Sequence, residues 1–201
     1  MTRPASLALA LALLGTGACA TLPRRPPPGV AAAARQTRSY SALLKVRVKT
    51  RDLRGRSRVL LAFQRPDRLR VEIPGPGGLR LLAVTRDGAL TVLFPAERRV
   101  FKGEADRRSM DALLGIALEP DEIMDALLGV APSGLRAYRA GWGPRLPRRI
   151  QAEFVVGGRL DVGVEEPETG VELPARAFDE PAHRDYVELS LDEARGLWGR
   201  R

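Results

Sequence analysis

Side chains able to do chemistry are few in this chain. It has one histidine, His183, and one cysteine, Cys19. His183 stands two residues before Asp185, and such a pair could act as a general base with its orienting carboxylate. No nucleophile motif accompanies the pair, and one histidine with one cysteine provides no cluster of metal ligands. We therefore interpret His183 as a loop histidine and predict a protein that is not an enzyme, with no cofactor and no metal site.

Cys19 lies at the end of an N-terminal leader. Arg3 precedes an apolar run over residues 5–14, and small residues fill positions 15–18. This pattern is typical of a secretory signal peptide and is too short to span a membrane. Small residues before a cysteine resemble the bacterial lipobox, which implies removal of residues 1–18 and lipid attachment at Cys19. Thr16 departs from the leucine of that pattern, and residues 18–20 also suit ordinary secretory cleavage, so plain secretion stays open.

The rest of the chain has the length of one domain. Residues 22–29 are rich in proline and arginine, a composition that forms an extended spacer. We assign residues 19–35 to the lipidated cysteine and this tether, 36–191 to one folded domain and 192–201 to a C-terminal tail. A short helix is predicted to begin near Val30.

A repeated segment predicts two short helices. The sequence from Met110 to Ala117 recurs almost unchanged fourteen residues later, from Met124 to Ala131. In both copies the apolar residues recur with the helical period, on one face. Asp106 is placed to cap the first helix, and Pro120 suits the first position of the second. These helices must bury their apolar faces, and a sheet is the available partner.

Most other segments are predicted to form strands. Apolar and polar residues alternate from Leu44 onward, and Gly-rich turns separate the runs. About ten strands are predicted, including a weak one over residues 171–173, with antiparallel neighbours because the connections are short. Two short helices cannot cover so wide a sheet, so it must curl and leave an apolar hollow. The fold class is thus mainly β with a small α part: an incomplete, open antiparallel β-barrel lidded by two short helices.

The predicted lining of the hollow is aliphatic, with two methionines that can repack around different ligands. It comprises Val71, Leu81, Val92, Met110, Leu113, Leu114, Met124, Leu127 and Leu128.

Residues 113–132 also fit a longer pattern of Leu, Gly and Pro. Together with the lipobox-like leader and the predicted strand meander, this segment resembles the LolA/LolB-like proteins. The resemblance implies a half-barrel whose cavity takes acyl chains of lipoproteins. It also implies a lipid-anchored protein of the bacterial outer membrane, facing the periplasm, since Ala20 rather than aspartate follows Cys19. Its implied partners are the membrane, lipoprotein acyl chains or lipids, and a periplasmic carrier protein. An envelope scaffold that uses the same fold as an interaction module remains the alternative.

The turn between the third and fourth predicted strands departs from the family. In the receptor branch of the LolA/LolB-like proteins, the tip of this turn has an exposed apolar side chain, which assists insertion of cargo into the bilayer. Gly77 occupies that position here. Glycine has no side chain to bury among lipids, so the sequence predicts acyl-chain binding with poor insertion of cargo.

The charge is strongly basic. Lysine and arginine number 33 against 24 acidic residues, a net charge of +9. No nucleic-acid-binding motif accompanies this charge, so we predict no nucleic-acid partner. Arginines alternate with the apolar positions, and a solvated arginine face is favoured over an anionic membrane surface as their explanation.

Overall fold

Alternating apolar side chains build one sheet in this protein. The computed structural model describes residues 26–50, 54–180 and 182–198. Its strands are β1 Ser39–Lys49, β2 Arg54–Gln64, β3 Arg68–Gly75, β4 Gly78–Arg86, β5 Ala89–Phe94, β6 Arg99–Glu104, β7 Leu135–Trp142, β8 Pro147–Phe154, β9 Arg159–Thr169 and β10 Val187–Leu189. Their order is β10-β6-β5-β4-β3-β2-β1-β9-β8-β7. The sheet is not closed: in the described ranges β10 and β7 are its two edges. The predicted open barrel, mainly β, is confirmed.

Strand register sets which side chains face inward. Successive residues of a strand point to opposite faces. Leu44 on β1 lies directly opposite Val59 on β2, and both side chains face inward. The same face of β9 buries Val162 and Val164. Hydrophobic residues of the inner face join the helices in one continuous core.

Two strands differ from the prediction. The chain forms β7 at residues 135–142, which the sequence did not indicate, and it forms no strand at 171–173. β7 is an edge strand with few buried residues, so its apolar alternation is weak. Pro174 follows the second segment and cannot donate to a strand ladder. A further difference is that β10 pairs parallel to β6, because the chain crosses from β9 to the far edge of the sheet.

The two predicted helices are α2 Arg107–Leu114 and α3 Pro120–Leu127, preceded by α1 Val30–Gln36. The Asp106 side chain caps α2 by accepting a hydrogen bond from the Ser109 backbone N–H at 2.7 Å. Gly115 ends α2 with a φ of 68°. Gly129 follows α3, and a Cβ there would overlap the Trp142 indole ring. Met110 and Met124, the repeated methionines, are both fully buried.

The C-terminal residues add elements on both sides of the sheet. Helix α4 Leu191–Trp198 packs against α2 and buries Ala194, although the sequence indicated only a tail after residue 191. On the outer face, the segment before β10 buries Phe178 against β4, β5 and β6. Arg70 fixes this segment by donating a hydrogen bond to the Ala177 carbonyl oxygen at 2.8 Å.

Tyr40 provides a test of the core. Its ring stacks on Phe63 with centroids 5.1 Å apart, and its hydroxyl is buried with no hydrogen-bond partner among the described residues. The Tyr138 hydroxyl, by contrast, donates a hydrogen bond to the Ala126 carbonyl oxygen at 2.7 Å. Burial raises the pKa of both hydroxyls, so both stay protonated at neutral pH.

We predict that Tyr40→Phe leaves the free energy of unfolding unchanged or raises it by up to about 1 kcal/mol, because an unpaired buried hydroxyl opposes folding. Tyr138→Phe is the matched control and should lower that free energy by about 1 kcal/mol. Urea denaturation measures both. A loss of more than about 1 kcal/mol in Tyr40→Phe would mean that its hydroxyl has a partner.

Candidate ligand-binding cavity

An apolar cavity lies between the curled sheet and the two lid helices. Its volume is about 150 Å³. The sheet contributes aliphatic side chains from β1, β2, β3, β8 and β9. These are Leu44, Val46, Val48, Val59, Leu61, Val71, Ile73, Ile150, Leu160 and Val162. The cavity therefore lies under the middle of the sheet, centred on β1 and β2.

The lid closes the cavity with its own apolar residues. Leu114 ends α2, Ile116 and Leu118 lie in the α2–α3 connection, and α3 adds further side chains. The α3 residues are Ile123, Ala126 and Leu127. Wall and lid are thus almost wholly hydrocarbon, which suits an apolar ligand.

Three arginines also line the cavity: Arg54, Arg56 and Arg80. Arg54 and Arg56 belong to the first residues of β2. Arg80 lies at a β-bulge, because Ile73 pairs with Leu81 while Pro74 pairs with Leu79. A bulge turns one side chain out of the regular alternation. This explains how a basic residue of β4 comes to lie at the cavity beside hydrocarbon walls.

The lid is fastened to the sheet by polar contacts. The Arg65 guanidinium, just after β2, pairs with the Asp125 carboxylate of α3 at 2.5 Å. Arg65 also lies over the Phe63 ring, 5.9 Å from its centroid. The Arg65 side chain is largely buried, so solvent screens this ion pair less than a surface pair. Together with the Tyr138 hydrogen bond, this contact holds α3 in position over the cavity.

Glu122 holds the two ends of the lid together. One carboxylate oxygen accepts hydrogen bonds from the Ser133 hydroxyl at 2.9 Å and the Gly134 N–H at 3.1 Å. The other accepts from the Glu119 N–H at 3.0 Å and pairs with Arg107 of α2 at 2.9 Å. Burial raises the pKa of Glu122, but the combined donors outweigh it and hold that pKa below its usual range.

The predicted lining residues divide into two groups. Val71, Leu114 and Leu127 line the cavity. The others are buried in the surrounding core, packed between sheet and helices: Leu81, Val92, Met110, Leu113, Met124 and Leu128. The cavity thus lies closer to β1 and β9 than the sequence indicated.

Sequence reasoning missed most of the wall. The period-two alternation of Val46 and Val48, and of Leu160 and Val162, was visible, but the pairing of β1 with β9 was not. That long-range pairing brings these residues beneath the lid. The bulge at Arg80 has no sequence signal apart from its proximity to the Gly-rich turn.

Other predicted residues lie apart from the cavity. Gly77 lies in the exposed β3–β4 turn with a φ of 83°, where a larger side chain would be strained. His183 lies 3.4 Å from Glu180, whereas Asp185 pairs with Arg98 at 3.3 Å. The structure does not bring His183 and Asp185 together as an ion pair. Cys19 lies outside the described residues.

The described part of the chain contains no group of three or more His, Cys, Asp or Glu side chains placed to hold a metal ion. None of its helices is long and apolar enough to cross a membrane.

Comparison of the sequence with known protein families and with curated proteins gives no match. Comparison with solved structures gives matches of low similarity. One solved structure is a LolA-superfamily protein from Nitrosomonas europaea, with 11% identity, a TM-score of 0.43, and coverage of 72% of this chain and 91% of that one. A second is an outer membrane lipoprotein-sorting protein domain from Vibrio parahaemolyticus, with 8% identity, a TM-score of 0.42, and coverage of 75% of this chain and 94% of that one. A third is a DUF1329-family protein from Desulfovibrio piger, with 9% identity, a TM-score of 0.42, and coverage of 74% of this chain and 92% of that one.

Glu122→Gln tests the fastening of the lid. The lowered pKa means that the ionised Glu122 stabilises the fold above its ordinary pKa of 4.5 and that this stability is lost as pH falls through the folded-state value. We predict a loss of about 1 to 2 kcal/mol in unfolding free energy at neutral pH, shrinking as the solution is acidified below pH 4.5.

Denaturant titrations at several pH values measure this difference. Glu119→Gln is the matched control, because Glu119 is exposed and lies 4.0 Å from Arg107, so its loss should cost less than about 0.5 kcal/mol. Equal effects of the two substitutions, or a Glu122→Gln effect that does not change with pH, would contradict the assigned role.

Proposed function

We propose that this protein binds an acyl chain in the cavity between its sheet and lid, and that it acts in lipid or lipoprotein trafficking. The observation that carries the proposal is the cavity lining: aliphatic side chains on every wall, with Arg80 at the β4 bulge among the lining residues. Hydrocarbon surface favours an apolar ligand because burial removes that surface from water. A basic residue at the lining suits the polar end of an amphiphile.

The cavity volume favours the binding of a single acyl chain. An apolar cavity of about 150 Å³ stays dry and admits a molecule the size of benzene. The cavity seen here therefore fits one segment of an acyl chain. A longer chain requires the lid to shift, and α2 and α3 are only eight residues each. We propose that displacement of α3 from the sheet admits the rest of the chain.

We also propose the cellular setting that the leader implies. Lipid attached to Cys19 would anchor the protein to the outer membrane, facing the periplasm, with residues 22–29 as a spacer. A lipoprotein acyl chain or a lipid would be the cargo, delivered by a periplasmic carrier protein. The conformation of Gly77 supports weak insertion of cargo, because the positive φ of the turn favours glycine, which offers no apolar side chain there.

A matched pair of substitutions on β2 tests the cavity. Val59 lines it, whereas the neighbouring Leu60 points to the outer face and is 48% exposed. We expect Val59→Phe to fill part of the cavity and weaken binding of a fluorescent fatty acid at least tenfold, since displacing two methylene groups forfeits about 1.6 kcal/mol. Leu60→Phe should bind like the wild type.

Fluorescence titration measures both affinities, and circular dichroism checks that both variants fold. Absence of fatty-acid uptake by the wild type would reject the proposal and leave the scaffold interpretation. Equal weakening by the two substitutions would place the ligand elsewhere.

Cys19→Ser tests the anchor. In a bacterial host we expect the wild type to incorporate labelled palmitate and to fractionate with membranes, and the variant to lose the label and become soluble. One lipidated cysteine with two or three chains anchors stably, at about 0.8 kcal/mol per buried methylene group. An unlabelled, soluble wild type would instead establish ordinary secretion.

A further inference from the structure

The β1–β2 hairpin concentrates positive charge. By sequence, residues 45–58 contain seven lysines and arginines and one acidic residue. We call the described part of this segment, residues 45–50 and 54–58, the cationic hairpin. Its polar side chains alternate with Val46, Val48 and Val59 on the inner face, so Lys45, Arg47 and Lys49 point outward.

Strand register places like charges directly opposite one another. Lys45 pairs with Arg58, Arg47 with Arg56, and Lys49 with Arg54. Like charges at directly opposed positions destabilise a sheet, because their side chains lie close together. Three consecutive cross-strand pairs of this kind therefore oppose folding of the isolated protein. The arrangement differs from an ordinary solvated face, where charges of both signs are interspersed.

Acidic neighbours neutralise only part of this charge. Glu165 on β9 pairs with Lys45 at 2.5 Å. Asp161 lies near Arg47, but its hydrogen bonds go to Arg149 and Gln151. Among the described residues, Arg54, Arg56 and Arg58 form no ion pair. The β2 side of the hairpin is thus exposed and open to an anionic partner.

The hairpin lies beside apolar surface. Arg54 and Arg56 also line the cavity. Lys49 pairs with Arg159, so the β8–β9 turn lies at the same end of the sheet. That turn exposes Val155 and Val156, which are 66% and 72% accessible. Cations and exposed apolar side chains therefore occur together at the hairpin end of the sheet.

We propose that the cationic hairpin is a docking surface for an anionic membrane surface. Headgroup phosphates would neutralise the opposed cations, and the interface would bury the exposed valines. A nucleic acid would also neutralise the cations, but it would leave these aliphatic side chains without a partner, and aromatic stacking residues are missing from the described hairpin. The proposal does not depend on the ligand of the cavity. It assigns the hairpin a role in presenting the cavity to a lipid surface.

The test uses the purified Cys19→Ser protein, which carries no lipid anchor, and sedimentation with lipid vesicles. We expect tighter binding to vesicles of phosphatidylcholine with phosphatidylglycerol than to vesicles of phosphatidylcholine alone. We also expect the protein to be released as the salt concentration rises from about 0.1 M to 1 M, because the Debye length then falls from about 10 to about 3 Å. Arg56→Gln/Arg58→Gln should weaken partitioning roughly 25-fold, since each cation near an anionic surface contributes about fivefold.

Arg35→Gln/Arg38→Gln is the matched control. It removes the same charge from exposed positions before β1, at the opposite end of that strand, and should change partitioning less than about fivefold. Thermal unfolding should show that the hairpin variant is at least as stable as the wild type, because two opposed like-charge pairs have been relieved.

Three results would overturn the proposal. They are equal binding to both kinds of vesicle, equal weakening by the two double variants, and displacement of the protein from vesicles by duplex DNA that the hairpin variant no longer binds. The last result would assign the hairpin to nucleic acid.

Discussion

The inner face of a single curled sheet has to be covered, and the rest of the structure depends on how this is done. No second sheet meets that face in the described part of the chain, so the cover comes from α2, α3 and α4. A helix of eight residues is only about 12 Å long. Cover is complete around Met110 and Met124 of the lid, which are fully buried. It is incomplete near β1, β2 and β9, and the cavity lies there.

Polar contacts at the lid follow from the same constraint. Short helices have little propensity to form alone, so tertiary contacts must hold them. Arg65 with Asp125 and Tyr138 with Ala126 attach α3 to strands on both sides of the cavity. Glu122 joins α3 to α2 and to the chain after it. These contacts are few and specific, so the lid can be held without filling the space beneath it. A cavity beneath a fastened lid is consistent with the acyl-chain binding that we propose.

The sequence predicted the features that depend on local pattern. The repeat at Met110 and Met124, the cap at Asp106 and the alternation along β1 and β2 identified the helices, the sheet and its curvature. Features set by distant pairing were not accessible. β7 is an edge strand with little apolar alternation, and β10 reaches β6 only after the chain crosses the sheet. The predicted cavity was placed near Leu81 and Val92 because the pairing of β1 with β9 could not be read from either strand alone.

The position of the cavity beside the cationic hairpin joins an apolar interior to a charged exterior at one end of the sheet. We propose that this interior holds hydrocarbon. Crystallography of the protein with a fatty acid brominated along its chain tests this proposal most directly. We expect a bromine anomalous peak between Val48, Leu127 and Leu160. Bromine located only on the outer surface, with the space between these side chains unoccupied, would contradict it.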